Sequence, residues 1–120
     1  MGGVVQQAFR QTFTVPSASG SYAPERIAFG EVKSGQPPMA FEGVTASVDT
    51  TVASMVVELW LGRVGIEGGA HINTDYKYSG QAIDAATGME TWAVAGYPCM
   101  QIRVKSGGTG GSAVVSASAF

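Results

Sequence analysis

The sequence predicts an all-β chain folded as one antiparallel β-sandwich, and three observations carry that reading. Apolar residues recur with a period of two rather than 3.6. Clusters of Gly, Pro and Ser divide the chain into eight runs at roughly 8–14-residue intervals. No run shows a convincing helical pattern. Eight strands suit a jelly roll, two four-stranded sheets face to face. An immunoglobulin-like sandwich ranks behind it, because its Cys-Trp-Cys framework needs two cysteines and the chain has one.

The first run sets Val5, Phe9, Phe13 and Val15, with Gln7 and Gln11 between them, against Gln6, Arg10, Thr12 and Thr14. Its core pattern begins at Phe9, so residues 1–7 read as a short N-terminal arm. Pro16 stops this strand, and Ser17 to Ser21 form a loop. The second strand, 26–33, places Ile27 and Phe29 on one face. Pro37 and Pro38 then break the chain, since proline supplies no ladder donor. Strand three, 41–49, turns Val44, Ala46 and Val48 inward. Strand four, 54–63, turns Met55, Val57, Leu59 and Leu61 inward. Val56 and Trp60 make its other face apolar too, so it belongs under cover. Residues 62–69 read as a connection.

Strand five, 70–78, sets Ile72, Thr74, Tyr76 and Tyr78 against His71, Asn73, Asp75 and Lys77. Residues 80–88 read as a helical turn or a loop ending in a Thr87-Gly88 turn. Strand six, 89–95, buries Trp92 and Val94. Strand seven, 98–105, has the cleanest alternation, with Met100, Ile102 and Val104 in and Gln101, Arg103 and Lys105 out. A glycine-rich turn at 106–111 leads to strand eight, 112–120. No repeat or linker divides the chain, so 1–120 is one domain.

Composition narrows the function. Charged residues make up 13% of the 120 positions, about half the ~25% of globular chains. In their place stand 17 Gly, 16 Ala, 11 Ser and 9 Thr. Seven basic residues face nine acidic ones, a net charge of −2. A nucleic-acid binder needs a basic surplus to displace counterions from phosphate. The longest apolar stretch, 55–61, contains Glu58 and is far short of the ~20 residues that span a bilayer. Neither a secretion signal nor a lipidation motif is legible at the N-terminus, which predicts synthesis in a reducing compartment.

Chemistry is sparse. Cys99 excludes an intramolecular disulfide and any multi-cysteine metal site, and reads as a small buried hydrophobe. His71 has no nucleophile elbow to serve. His71 and Asp75 stand about 13 Å apart along a strand, too far to share a metal ion. Glu58 and Glu90 sit amid apolar neighbours and read as solvent-facing or arginine-paired acids rather than a glycosidase pair. The turn at Gly107-Gly108-Thr109-Gly110-Gly111 lacks the Gly-Lys-Ser/Thr ending of a phosphate loop. Neither Asp49-Thr50-Thr51 nor Asp84 to Gly88 has calcium-loop spacing. Trp60, Trp92, Tyr76, Tyr78 and Tyr97 are candidates for a sugar-stacking platform or, more simply, for core and interface. The expectation is a protein that is no enzyme and holds no metal or cofactor.

The segment from Tyr97 to Phe120, with Arg103-Val104-Lys105-Ser106-Gly107-Gly108-Thr109 followed by a small-residue strand, resembles the C-terminal hairpin of small tailed-bacteriophage virion proteins. The whole is similar to jelly-roll capsid decoration, or cement, proteins. The resemblance implies a homodimer or homotrimer on the capsid exterior, made in the host bacterial cytoplasm, that bridges major capsid subunits. It implies no nucleic-acid, membrane or small-molecule partner. The interface residues expected from the sequence are Val4, Val5, Gln6 and Gln7, where two glycines give reach and two valines anchor. The competing expectations are a carbohydrate-binding jelly roll of a tail fibre or appendage, and a head–tail or tail component.

Overall fold

The computed structural model describes residues 7–30, 41–67, 70–84, 88–94, 97 and 99–120, with the backbone path alone for 64–67, 70–81 and 83–84. Its strands are β1 (Gln7–Val15), β2 (Ile27–Phe29), β3 (Gly43–Thr50), β4 (Val56–Glu67), β5 (Ala70–Asp84), β6 (Met89–Ala93), β7 (Cys99–Lys105) and β8 (Gly111–Ala119). They form two four-stranded sheets, ordered β1-β8-β3-β6 and β2-β7-β4-β5. Every pairing is antiparallel. No helix is present among the described residues.

The connectivity is nested. β4 pairs with β5, β3 with β6, β2 with β7 and β1 with β8. The chain thus doubles back at its middle and rolls into two layers. Pairings of β8 with β3 and of β7 with β4 complete each sheet.

The two inner faces supply one core. Phe13 and Val15 of β1, Val44 and Ala46 of β3, Val57 and Leu59 of β4, Met100, Ile102 and Val104 of β7, and Ala113, Val115 and Ala117 of β8 are all buried in it. Each strand contributes alternate positions, as a pleated backbone demands. The alternation expected for strands three and seven is the one observed. Cys99 is buried, as expected.

Three expectations need correction. Phe9 is 47% exposed, so the core of β1 begins at Phe13. Phe9 lies on the inner-face parity, and near the end of the sandwich its ring is tilted against Phe29, 5.4 Å between ring centroids. The connection expected at 62–69 is strand on both sides, since β4 runs to Glu67 and β5 begins at Ala70. Gly62 and Gly65 do not break it, because pairing of Gly62 with Cys99 of β7 and of Gly65 with Ile72 of β5 holds the backbone extended. The turn or helix expected over 80–88 is strand as far as Asp84; β5 has two register shifts against β4, which hide its period. Gly88, at φ 73°, ends the excursion as a turn glycine. The break at Pro37 and Pro38 lies outside the described residues.

The glycine-rich turn has a structural cause. A Cβ on Gly107 would lie 1.9 Å from the carbonyl oxygen of Ser54, and Gly108 has φ 112°. The turn presses on its neighbours. The Ser106 N–H donates to Ser21 O at 2.7 Å, Gly20 N–H donates to Ser106 O at 2.9 Å, and the Ser106 hydroxyl donates to Pro16 O. These bonds satisfy a buried serine at the point where β7 leaves one sheet for the other.

β8 lies between β1 and β3. A chain cut after Gly111 loses both ladders and opens the core of that sheet. We expect the truncated chain, lacking 112–120, to show no cooperative thermal transition by circular dichroism. A cooperative melt like that of the full chain would refute the central role of β8.

Candidate interaction surfaces

Of the expected interface residues, Val4, Val5 and Gln6 lie outside the described residues. Gln7 starts β1, is half-buried, and its side-chain oxygen accepts from Gly30 N–H at 3.4 Å. Its role there is to tie β1 to the end of β2. The side chains of His71, Asn73, Asp75, Tyr76 and Tyr78 also lie outside what is described. Among the described residues, no cluster of His, Cys, Asp and Glu could hold a metal ion.

Among the described side chains, Trp60, Trp92 and Tyr97 do not converge. Trp92 is 2% exposed in the core, while Tyr97 is 40% exposed at a chain turn. Trp60 stands on the outer face of the second sheet, with the Arg103 guanidinium over its ring, 4.0 Å from the centroid. One face of this indole is therefore already stacked by a cation.

Around Trp60 is a polar network that sequence reasoning missed. Glu58 is 4% exposed, not solvent-facing. Its Oε1 accepts from the Tyr22 hydroxyl at 2.7 Å and from Trp60 Nε1–H at 3.1 Å. Tyr22 meets Trp60 edge-on, with centroids 6.0 Å apart and planes at 82°. Arg103 is the register partner of Glu58 across β4 and β7, and donates through Nε and Nη2 to the Gln101 side-chain oxygen at 3.1 and 2.9 Å. Lys105 Nζ stands 5.9 Å from the Tyr22 ring. Tyr22 reaches the sheet because its backbone bridges to Lys105. The period-two pattern did place Glu58 and Trp60 on one face, but no local signal foretold the loop residue that covers them. Two donors on one carboxylate oxygen hold the side chain in place, so the network fixes this surface. Glu90, the other expected acid, is exposed.

The outer face of the first sheet is of another kind. Its strand-to-strand rows read Ala8–Ser118–Thr45–Thr91, Arg10–Ser116–Ser47–Met89, Thr12–Val114–Asp49 and Thr14–Ser112. Only Arg10 and Asp49 in these rows are charged. Arg10 donates to the Ser116 hydroxyl at 3.1 Å, and the Thr45 and Thr91 hydroxyls lie 3.1 Å apart. Small side chains leave a shallow groove lined by Ala8, Phe9, Thr45, Ser47, Met89 and Ser118. Met89 is 66% exposed.

The free edge of β1 is capped. Thr14 N–H points away from β8 and donates to Glu25 Oε2 at 3.1 Å. Burial alone would raise the Glu25 pKa. The Thr14 N–H, the backbone of Glu25, the Thr14 hydroxyl and the Arg26 guanidinium outweigh it and hold the carboxyl below its ordinary value of 4.5.

No protein-family model and no curated protein matches the chain. Solved structures similar to it include a mitogen derived from Yersinia pseudotuberculosis, at 11% identity and a TM-score of 0.40 over 94% of this chain and 86% of that one. The SPBc2 prophage-derived protein YomS is 16% identical with a TM-score of 0.38, over 98% of both chains. FLHE is 12% identical with a TM-score of 0.38, over 97% of this chain and 98% of its own. Likenesses at these TM-scores carry no argument about this chain. No helix among the described residues is long and apolar enough to cross a membrane.

Replacing Glu58 with Ala removes the acceptor for both Tyr22 and Trp60, and we expect a loss of about 2–4 kcal/mol in urea unfolding. Tyr22→Phe deletes one donor and should cost about 1 kcal/mol. Equal effects of the two variants would sink the account of Glu58 as the centre of the network.

The sign of the Glu25 effect follows from its lowered pKa. A carboxylate favoured in the folded state stabilises it above the ordinary pKa and loses that contribution as pH falls from 4.5 through the lower folded value. Glu25 is partly solvated, so the effect is small. We expect wild type to melt a little above Glu25→Gln at neutral pH, and the two melting curves to converge in that acid window. A gap that widens on acidification would reverse the assignment.

Proposed function

We propose that the protein is a structural virion protein that decorates and stabilises a bacteriophage capsid, bridging major capsid subunits as a homodimer or homotrimer. The observation that carries this reading is the outer face of the first sheet, four strands wide and with only Arg10 and Asp49 charged. Burying a Ser/Thr/Ala face strips few charges of water, and charge depletion is what distinguishes interface cores. A free monomer gains nothing from such a surface, since low charge favours association.

The finer fold reading is a jelly roll. The strand orders β1-β8-β3-β6 and β2-β7-β4-β5, with first strand on last, second on seventh and third on sixth, support it. The resemblance of residues 97–120 to small tailed-phage virion proteins supports the virion setting.

Mass spectrometry of purified virions tests the reading directly. We expect the protein at a fixed copy number relative to the major capsid protein, and recombinant protein that sediments with assembled shells but not with DNA. Absence from virions would refute it. Retention on a glycan array without shell binding would replace it with a carbohydrate-binding module of a tail fibre or appendage.

A further inference from the structure

We infer that a second copy of this chain docks face to face on the outer surface of the first sheet, about a two-fold axis that sets Arg10 against the partner's Asp49. The inference rests on the homo-oligomer of the reading above and not on its capsid partner.

Register fixes where the outward side chains stand. Arg10 on β1 and Asp49 on β3 lie two strands across and one outward row along. With ~4.8 Å between strands and ~3.4 Å per residue, that step is about 12 Å. From Ser118 on β8 to Met89 on β6 is the same step in the same direction. The midpoints of the two steps lie one strand across and one row back from each other, on a line at right angles to both steps. One two-fold axis along that line therefore exchanges the ends of both steps together. It lays each Arg10 over the partner's Asp49 and each Met89 over the partner's Ser118.

Both contacts make chemical sense. Met89 is 66% exposed, and Ser118 lines the shallow groove with Ala8 and Thr45. A thioether from the partner fits there, because methionine adapts to an irregular gap between small side chains. Arg10 and Asp49 are both exposed. Arg10 Nη1 donates to the Ser116 hydroxyl at 3.1 Å, which holds the guanidinium on the face, and a guanidinium has further donors for a carboxylate. The axis crosses β8 between Val114 and Ser116, and β3 between Thr45 and Ser47. Side chains of that size let two sheets approach.

Charge selects a second copy as the occupant. The outward rows hold one cation and one anion. A basic partner would be repelled at Arg10 and an acidic one at Asp49, whereas a copy turned about the two-fold meets the opposite sign at both. On the same spacings the strands of the two copies cross at roughly 70°, nearer the orthogonal than the aligned class of sheet packing. The patch shared by two crossed faces is about 400 Å² per copy, the size of a transient contact. The dimer therefore depends on concentration, and a closed two-fold stops at two chains.

Analytical ultracentrifugation from about 10 μM to about 1 mM tests this. Wild type should move from the 12.3 kDa chain mass toward twice that value. Arg10→Asp and Asp49→Arg each bring like charges together at both contacts, and each should weaken the dimer about tenfold. Mixed in equal amounts, the two variants should recover wild-type affinity as a heterodimer, because every contact again joins opposite charges. Met89→Asp puts a carboxylate into the partner's groove and should weaken the dimer at least tenfold. Should a charge variant lose the cooperative melt of wild type, Met89→Asp carries the test. A wild type monomeric throughout the range, variants that associate like wild type, or a mixture without recovery overturns the inference. A charge-dependent dimer that ignores capsid shells leaves it standing and removes the decoration reading; a monomer that coats shells does the reverse.

Discussion

The structure depends on the inner face of β8. Ala113, Val115, Ala117 and Ala119 form the stripe that the middle of the first sheet presents to the core. Facing layers interdigitate at native density only when large residues on one meet small ones on the other. The second sheet is correspondingly bulky, with Ile27, Phe29, Leu59, Met100 and Ile102 all buried. The same stripe forces the topology. β8 pairs on both sides, with β1 and β3, so it enters between two strands that precede it, and the first sheet closes only once β8 is in place. That is why the turn before β8 is so constrained, with Gly107 against Ser54 and Ser106 tied to the 16–21 loop.

Glu58 is the exception to an apolar interior, and it shows how a sheet face is sealed without hydrophobic residues. A carboxylate this buried needs its lone pairs filled. Tyr22 and Trp60 both donate to its Oε1 and cover it in doing so. Arg103 then lies over the face of the indole whose N–H Glu58 holds, so opposite charges both contact one aromatic ring. The arrangement is rigid, because each member is held by another. A rigid aromatic and arginine patch is good material for an interface hot spot, yet here its hydrogen-bonding capacity is turned inward.

Much of the fold was legible because strands announce themselves by parity. Val44/Ala46, Met100/Ile102/Val104 and Val115/Ala117 alternate without interruption, and their ladders are regular. Legibility fails where the ladder is irregular. β5 shifts register against β4 twice, so no single parity runs through it and its second half passes for a loop. Phe9 fails for another reason. Parity assigns a face, but exposure depends on where the partner sheet ends, and that is a tertiary fact. Glu58 fails because its cover comes from Tyr22, 36 residues away. A surface defined by absence of charge was visible in composition alone; that the uncharged positions collect on one sheet face was not.

The four sheet edges show how association is directed. An exposed edge invites any strand, and proteins with few charges have little else to prevent it. β2 is three residues long and β6 five, too short to template a stranger. The edge of β1 has its Thr14 amide taken by Glu25. β5 is 15 residues long, but its two bulges twist the edge out of register with a passing strand. Specificity in this chain therefore comes in part from closing the wrong edges. A surface nearly free of charge can afford to associate only if geometry restricts where.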